Sequence, residues 1–459
     1  MTRIALGAGD YCIYAQHRAG YAAFGAANLP FAILEVEGAL SPQRLRDAAE
    51  HLFSRHPVTL ARIATPLTRL RPCWELPADV PGAAARAARE AVVCDDLSEA
   101  PDAQAKFDEL FAARYTKAWN LATGPQARFE LYALPEKRSR LVLRWPHYFT
   151  DAEGSQLLLA ELARAMEESS AAGAAAVRSP VEARPPDLLA GASFVDRMRL
   201  ARRAATGQGQ AGKSALGSVL LANDRAFEGF GVRRRLWKAQ AFDRIRAQAR
   251  AHAPMGSALH ARHAAASVIR ALYRLFEERG VAAREFRITF PVRVGAEPVS
   301  AGHVPARPFA GNFLAAAVLC VSRREASHRA AAAESIARQL DGFVAEKGDL
   351  AQWALLEKLA LLHHMTYDYI FRWGIVNNRY SSGFSYFATH AQFPRRMAGL
   401  DVARAWFGGP ITTPPAWNPV FSRIDNSLSM TLSYSRPAVS DALAERYVHL
   451  IEEELLDPS

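Results

Sequence analysis

The chain has 459 residues, of which 50% are hydrophobic and 22% are charged, so a globally disordered protein is excluded. This length suits two domains of ordinary size or one large domain. The formal net charge of +10 admits acidic partners, but no block of five or more Lys and Arg occurs, so a nucleic-acid partner is not expected.

The N-terminal segment and the cysteines indicate the compartment. Residues 1–10 contain no apolar core of a secretory signal, and no uncharged apolar run approaches the roughly 18 residues of a membrane helix. Cys12, Cys73, Cys94 and Cys320 lie far apart and form no CxxC pair, so neither a zinc site nor a disulfide framework is expected. The sequence therefore predicts a cytoplasmic protein without an integral membrane span.

A strand followed by a helix is predicted near the start of the chain. Residues 31–36 form a mostly apolar strand, Ser41 is a suitable helix N-cap, and Pro42 occupies the first helical position. The helix ends at His56, because the residue before Pro57 is disfavoured in the α region. One apolar helix face is predicted from Leu45, Ala48, Ala49, Leu52 and Phe53.

A second unit is predicted between residues 107 and 166. It begins with a helix over 107–119. Apolar residues then alternate along a strand over 129–133 and along a return strand over 141–145, with a polar turn between them. A helix opens at Gly154 and continues to Met166.

Residues 168–190 are rich in Ser and Ala and contain three prolines, so they are predicted to form a linker. The predicted domains are therefore residues 1–180 and residues 181–459. A basic helix is predicted over 194–203.

The second half again alternates helices with strands, which favours α/β layers built on mixed sheets. The helices predicted there cover 258–278, 325–344, 350–371 and 442–456. The strands cover 287–290, 313–321 and 427–433.

His147 and Asp151 lie between a predicted strand and a predicted helix, separated by three residues. Imidazole titrates near neutrality, so it can take a proton from an alcohol or amine nucleophile and return it later. A nearby aspartate can fix the loop or the ring orientation. HxxxD spacing also arises by chance, and a partly buried structural histidine at a strand end is the simpler interpretation of spacing alone.

Residues 363–368 also spell HHxxxD, and they match that pattern better by letters. They follow an apolar stretch that is typical of a continuous helix. On such a helix His364 and Asp368 are neighbours on one face. The sequence therefore predicts a helix face here.

Residues 207–214 match the P-loop pattern GxxxxGK[ST], ending in Lys213 and Ser214. A P-loop joins a buried strand to a helix, so that backbone amides cradle phosphate. Here a basic, helix-like stretch precedes the glycines. We interpret the segment as a flexible loop and keep nucleotide binding as a minor alternative.

Several segments resemble the coenzyme A-dependent acyltransferase superfamily. This group includes chloramphenicol acetyltransferase, condensation domains of nonribosomal peptide synthetases, plant BAHD enzymes and bacterial wax-ester acyltransferases. The matching segments are, in order, the helix ending in Arg55-His56-Pro57, the Gly124-Pro125 entry to the hairpin with Arg128, the strand into His147 with Asp151, Phe290-Pro291-Val292-Arg293, Gly311-Asn312-Phe313 and the late strand 427–434.

The resemblance implies two chloramphenicol-acetyltransferase-like α/β subdomains with mixed sheets and an active-site tunnel between them. His147 matches the second histidine of the family motif HHxxxDG, which is the general base. Asp151 would point away from the substrate and pair with an arginine of the C-terminal half, for which Arg293 is the best match. No metal or redox cofactor is implied, since acyl-CoA or an acyl carrier protein serves as the donor substrate.

The motif departs from the family pattern at two positions. Pro146 replaces the first histidine, as is common among O-acyltransferase branches. Ala152 replaces the usual glycine, and strain is expected there if the backbone needs the conformation that glycine permits. Residues 406–410 only loosely resemble the DFGWG motif of BAHD enzymes, so the oxyanion stabiliser stays unassigned.

The function expected from this resemblance is acyl transfer from a thioester to a hydroxyl acceptor, with His147 as general base. A free-standing condensation enzyme that joins carrier-bound partners is an alternative. A catalytically inactive docking scaffold is an alternative of another class. The expected partners are an acyl thioester, a small hydroxyl or amine acceptor and, as a further candidate, an acidic carrier protein. Acyl length and acceptor identity stay open.

Overall fold

The computed structural model describes residues 2–24, 29–65, 70–116, 124–168, 187–211, 227–252, 259–295, 309–376, 380–389, 391–411 and 415–457. The helices are α1 Ala8–Phe24, α2 Pro42–Arg55, α3 Val80–Ala91, α4 Ala103–Thr116, α5 Ala152–Glu168, α6 Phe194–Ala211, α7 Ala239–His252, α8 Leu259–Glu278, α9 Arg323–Ala326, α10 Arg329–Ala345, α11 Gly348–Leu359, α12 His364–Val376 and α13 Asp441–Leu456. The strands are β1 Arg3–Ala5, β2 Phe31–Val36, β3 Arg62–Ala64, β4 Cys73–Glu75, β5 Val92–Asp96, β6 Arg128–Leu134, β7 Arg138–Arg144, β8 Phe227–Lys238, β9 Glu285–Arg293, β10 Leu314–Ser322, β11 Ser385–Ala388, β12 Arg396–Met397, β13 Leu400–Gly408, β14 Trp417–Ile424 and β15 Ser427–Pro437.

A mixed six-stranded sheet forms the N-terminal half, in the order β12-β13-β2-β7-β6-β5. Strands β2, β7 and β6 are antiparallel neighbours, whereas β5 lies parallel to β6 at the edge. Strand β13, from late in the chain, pairs with β2. The C-terminal part of the chain therefore completes the N-terminal sheet.

Both faces of the six-stranded sheet are covered, which explains the near-continuous apolar sequence of β2. Phe31 and Ile33 face the cluster that includes Phe111 of α4 and Phe230 of β8. Ala32, Leu34 and Val36 face the larger cluster formed with α2 and α5. The alternation of β2 side chains thus divides two cores.

The C-terminal half contains a four-stranded sheet in the order β11-β14-β15-β8 and a separate β9–β10 hairpin pair. Leu428, Met430 and Leu432 project from one face of β15 into a core shared with α8 and α13. Helix α13 begins at the cap Ser440 and packs against α8. A small three-stranded sheet, β1-β4-β3, lies near the N-terminus.

Helix α2 confirms the sequence prediction in detail. The Ser41 side chain accepts from the amide of Arg44, Pro42 is the first helical residue, and the helix ends at Arg55 before His56. The predicted apolar face is the buried face. The helix boundaries follow from signals within the segment itself, namely a polar cap, a proline at the start and a proline just beyond the end.

The predicted helix over residues 350–371 is wrong, because two helices, α11 and α12, occupy this segment. The break between the two helices, at residues 360–363, is stabilised by side chains from another part of the chain. Arg71 Nε donates to the carbonyl of Ala360 at 2.8 Å, and the Tyr11 hydroxyl donates to the carbonyl of Leu362 at 3.3 Å. Side chains from the N-terminal part therefore bind carbonyls that a continuous helix would use internally.

Most of the predicted linker lies outside the described residues, as does the predicted boundary between residues 180 and 181. The position of this boundary therefore stays a prediction. Among the described helices, none combines the length and the apolar character needed to cross a membrane.

Candidate active site

The loop that carries His147 joins β7 to α5 and is fixed at both ends. Before it, the amide of Trp145 donates to the carbonyl of Pro30 at 3.3 Å. Across it, Trp145 Nε1 donates to the carbonyl of Thr150 at 3.0 Å. The indole is fully buried, so it closes the loop from beneath.

Residues 309–313 of the C-terminal half bind directly against this loop. The amide of Gly311 donates to the carbonyl of Phe149 at 2.8 Å, and the Thr150 hydroxyl donates to the carbonyl of Phe309. Gly311 has φ 116°, and a Cβ there would lie 2.8 Å from the Phe313 ring. Only glycine suits this junction between the two halves.

Asp151 is fully buried and caps α5. Its Oδ1 accepts from the amide of Gly154 at 2.9 Å, while its Oδ2 accepts from the amide of Phe313 at 3.1 Å. One carboxylate therefore holds a helix N-terminus of the first half and a backbone amide of the second. Ala152 is the first residue of α5 and has no positive φ, so the strain expected at that position is absent.

Arg293 lies at the end of β9 and reaches the helix that follows the motif. Its Nη1 lies 3.4 Å from Oε1 of Glu153, with both side chains partly exposed. The pairing of Arg293 with Asp151 stays a prediction. Asp151 turns inward toward two backbone amides, whereas Glu153 turns outward to the side that Arg293 approaches. A partly exposed pair of this kind adds little stability.

The environment of His147 lowers its pKa. Burial is the largest cause, because it disfavours the charged ring. Four weaker contributions favour the protonated ring and oppose this effect: the carbonyl of His147 itself, the charge of Asp151, the Asn312 side chain and the carbonyl of Thr150. The imidazole is therefore mainly neutral near pH 7. Its Nδ1 is buried, while the side chain as a whole keeps partial exposure.

Two buried polar residues beside this histidine were not identified from the sequence as site residues. Asp10 of α1 accepts from both the amide of Asn312, at 2.8 Å, and its side-chain Nδ2, at 3.0 Å. Burial is the main reason that the pKa of Asp10 rises to about 6. The sequence offered one signal for Asp10, since it is the only acidic residue in the mostly apolar stretch 4–15. Asn312 belonged to a segment that was matched to the family by resemblance, without a role of its own.

The second HHxxxD segment belongs to a helix, as predicted. His364 and Asp368 lie one turn apart in α12, which packs on α1. Asp368 forms an ion pair with Arg18 at 3.1 Å, and burial lowers the pKa of His364. The rings of Tyr11 and Tyr367 meet edge to face at 4.5 Å between the two helices. These contacts are those of a helix interface.

The P-loop-like segment begins inside α6, which extends to Ala211. Its first glycine, Gly207, therefore lies inside a helix, and a helix stands where a P-loop requires a preceding strand. The flexible loop that we predicted is accordingly helical up to Ala211. Gly212, Lys213 and Ser214 lie outside the described residues.

A surface cavity of about 720 Å³ lies far from His147. It is lined by residues that include Asp96, Asp102 and Glu109. Asp96 ends β5 beside Ala133, near the start of β7, whereas His147 follows the other end of β7. The tunnel between the halves stays a prediction. Within the described ranges, no cluster of three or more His, Cys, Asp or Glu could hold a metal ion.

Comparison by sequence identifies no relative, since no family model and no curated protein matches the chain. Solved structures do match it over nearly its whole length. The first condensation domain of the calcium-dependent antibiotic synthetase, with a bound substrate analogue, is 18% identical, with a TM-score of 0.69 and 100% and 98% of the two chains covered. Trichothecene 15-O-acetyltransferase from Fusarium sporotrichioides is 12% identical, with a TM-score of 0.72 and 99% and 94% covered.

A mutant starter condensation domain of rhizomide synthetase, in complex with C8-CoA and Leu-SNAC, is 13% identical, with a TM-score of 0.65 and 99% and 94% covered. At these identities the likeness establishes the fold. The chain has the two-subdomain α/β fold of condensation domains and of this acetyltransferase. The fold predicted from the family resemblance is confirmed.

Proposed function

We propose that this protein is an acyltransferase that moves an acyl group from a thioester to a hydroxyl acceptor, with His147 as the general base. The observation that carries the proposal is the exposure, the pKa and the position of the His147 side chain. It is partly exposed, its pKa is lowered chiefly by burial, and it lies in the loop where the two halves bind each other. A neutral imidazole in such a place can accept a proton at physiological pH.

In the proposed reaction the acceptor hydroxyl gives its proton to His147 as its oxygen attacks the thioester carbonyl. The tetrahedral intermediate collapses by breaking the carbon–sulfur bond, and the protonated imidazole gives its proton to the departing thiolate. Such a base contributes roughly 10²–10⁴-fold to the rate. Holding both substrates in one site supplies a further part of the acceleration. These steps need no metal or redox cofactor, and none is proposed.

The solved structures with this fold support the reaction class. One is an O-acetyltransferase, and another holds C8-CoA and Leu-SNAC. A thioester donor and a small acceptor are therefore the substrates we propose for this chain. Acyl-CoA is the preferred donor. The net charge of +10 would also favour an acidic carrier protein bearing the acyl group.

Two alternatives remain. The similarity to condensation domains supports a free-standing condensation enzyme that joins carrier-bound partners through an amide or ester. Such an enzyme would react with carrier-bound donors and not with free acyl-CoA. An inactive docking scaffold, the alternative of another class, would bind thioesters without turnover.

The test measures thiol release from a panel of acyl-CoA thioesters, with and without pooled alcohols and amines, followed by mass spectrometry of the products. Release that depends on an alcohol, with a matching ester product, is the expected result. Amide products, or turnover only with carrier-loaded donors, would favour the condensation enzyme. Thioester binding without turnover of any donor would favour the scaffold.

A further inference from the structure

Asp10 and Asn312 form a buried pair against the loop that carries His147. They are 302 positions apart in the chain, and their side chains are 6% and 5% exposed. Oδ1 of Asp10 accepts two hydrogen bonds from Asn312, one from the backbone amide at 2.8 Å and one from Nδ2 at 3.0 Å. The pair therefore fixes both the backbone and the side chain of Asn312.

This contact determines which way the Asn312 amide points. An ionised carboxylate only accepts hydrogen bonds, so the amide atom that faces Asp10 has to be the donor Nδ2. Oδ1 of Asn312 is then turned away from Asp10. That oxygen is buried and has no hydrogen-bond partner in the structure. An unpaired buried acceptor of this kind is costly, so its neighbour matters.

The neighbour is His147. The Asn312 side chain lies close enough to favour the protonated ring, and Nδ1 of His147 is likewise buried and has no hydrogen-bond partner in the structure. If Nδ1 carries the proton, Nδ1–H can donate to Oδ1 of Asn312, and both buried atoms then have a hydrogen-bond partner. The same proton would leave the lone pair on Nε2.

We propose that Asn312, oriented by Asp10, accepts a hydrogen bond from Nδ1–H of His147 and so selects the tautomer whose Nε2 receives the substrate proton. The base role of His147 rests on the function proposed above. Asp10 and Asn312 are positioning residues in this scheme, because neither of them touches the substrate.

The packing around Asp10 makes this arrangement rigid. Gly9 lies so close to Asn312 that a Cβ there would be 2.3 Å from the Asn312 carbonyl oxygen, so α1 sits directly on this residue. Asp151 is the other carboxylate nearby, and its charge adds to the burial that raises the pKa of Asp10. The carbonyls of His147 and Thr150 also face the ring and share in holding it.

The test combines kinetics with NMR of histidine labelled with ¹⁵N in the imidazole ring, recorded at pH 8, where Asp10 is ionised. The His147 signals are assigned by their absence from His147→Asn. Asn312→Ala and Asp10→Ala remove the acceptor and its support. Asp10→Asn is the conservative variant because it keeps an acceptor oxygen. Asp96→Asn is the control, since Asp96 also accepts an amide and a hydroxyl, from Ser98, but lies at the other end of the sheet.

We expect wild type to hold His147 as the Nδ1–H tautomer. Asn312→Ala and Asp10→Ala should show mixed tautomers and a kcat lower by about 10- to 100-fold, as for the loss of a hydrogen bond to a group that becomes charged. The KM for the donor should change less than about threefold, because the hydrogen bond strengthens as the ring gains its proton. Asp10→Asn should stay close to wild type, and Asp96→Asn should be unchanged.

A folded Asn312→Ala with an unchanged tautomer and unchanged kcat would overturn the proposal. The ring would then be held by the two carbonyls alone. If Asp10→Ala does not fold, Asn312→Ala decides the question. The tautomer is read without substrate, so an inactive wild type would count against the proposed function while leaving this inference testable.

Discussion

At the scale of single residues, the candidate site combines a local motif, His147 and Asp151, with a long-range buried pair, Asp10 and Asn312. His147 and Asp151 could be proposed from the sequence because their motif is local and lies between a strand and a helix. Their roles stay predictions. Asp10 and Asn312 could not be proposed in this way, because their contact joins positions 302 residues apart. Arg293 was matched to Asp151 by resemblance, and the structure shows it near Glu153, two positions further along. Its pairing with Asp151 stays a prediction.

Asp10 should make the stability of the fold depend on pH. Burial raises its pKa in the folded state to about 6 from an ordinary 3.8. Its stabilising contribution is therefore fully present below about pH 4 and is lost as the pH rises through about 6. The shift of about two units corresponds to roughly 3 kcal/mol. The groups that face this carboxyl are Asn312, the Gly7 backbone and Asp151.

Urea unfolding of wild type and Asp10→Asn at several pH values measures this effect. The free energy of unfolding of wild type, relative to the variant, should fall by up to about 3 kcal/mol between pH 4 and pH 7. A difference that stays constant across this range would show that Asp10 titrates normally in the folded state.

Asp151→Asn should destabilise the protein although it changes few atoms. Each carboxylate oxygen accepts one backbone amide, from Gly154 and from Phe313. An asparagine offers one acceptor and turns an NH₂ group toward the other amide. We expect the free energy of unfolding to fall by about 1–3 kcal/mol. Asp96→Asn, at an exposed site, should cost less. Equal unfolding free energies for wild type and Asp151→Asn would contradict this account.

At the scale of elements, prediction succeeded where the signals lie inside the segment and failed where a distant residue decides. Helix α2 has its cap, its first proline and its final proline in its own sequence, and its bounds were correct. The break between α11 and α12 has no comparable signal. It depends on Arg71 and Tyr11, which bind the carbonyls of the break from a region nearly 300 residues or more away.

Arg71→Ala should therefore loosen the junction between α11 and α12. Arg71 Nε donates to the carbonyl of Ala360 at 2.8 Å, and Nη2 approaches that of Glu357 at 3.4 Å. We expect the free energy of unfolding to fall by about 1–2 kcal/mol and amide hydrogen exchange to rise over residues 357–365. Arg71→Lys, which keeps one donor nitrogen, should lose less. Exchange at wild-type rates in Arg71→Ala would mean that the break is set by the segment itself.

At the scale of the whole molecule, the two halves share their structure. Strand β13 pairs with β2, so residues from 396 onward complete the N-terminal sheet. From the C-terminal sheet, Phe230 stacks on Tyr115 with ring centroids 3.7 Å apart. The α/β class was predictable from the alternation of helices and strands and from the resemblance. The pairing of β13 with β2 was not predictable, because the local sequence of a strand does not determine which distant strand it pairs with.

Residues 1–180 expressed alone should not form a stable domain. Without β13 the apolar strand β2 becomes an unpaired edge, and without β8 the cluster around Phe111 loses Phe230. We expect aggregation or poorly dispersed amide signals, with recovery when residues 181–459 are co-expressed. Cooperative unfolding of the isolated fragment, with native-like near-UV circular dichroism, would contradict this expectation.

The most direct test of the central claim compares wild type, His147→Ala and His364→Ala in acceptor-dependent thiol release. The two substitutions are matched, since each removes a histidine with a lowered pKa from an HxxxD sequence. We predict that His147→Ala loses about 100-fold or more in kcat, while His364→Ala stays within about twofold of wild type. Equal turnover by wild type and folded His147→Ala would contradict the assignment of His147 as the base.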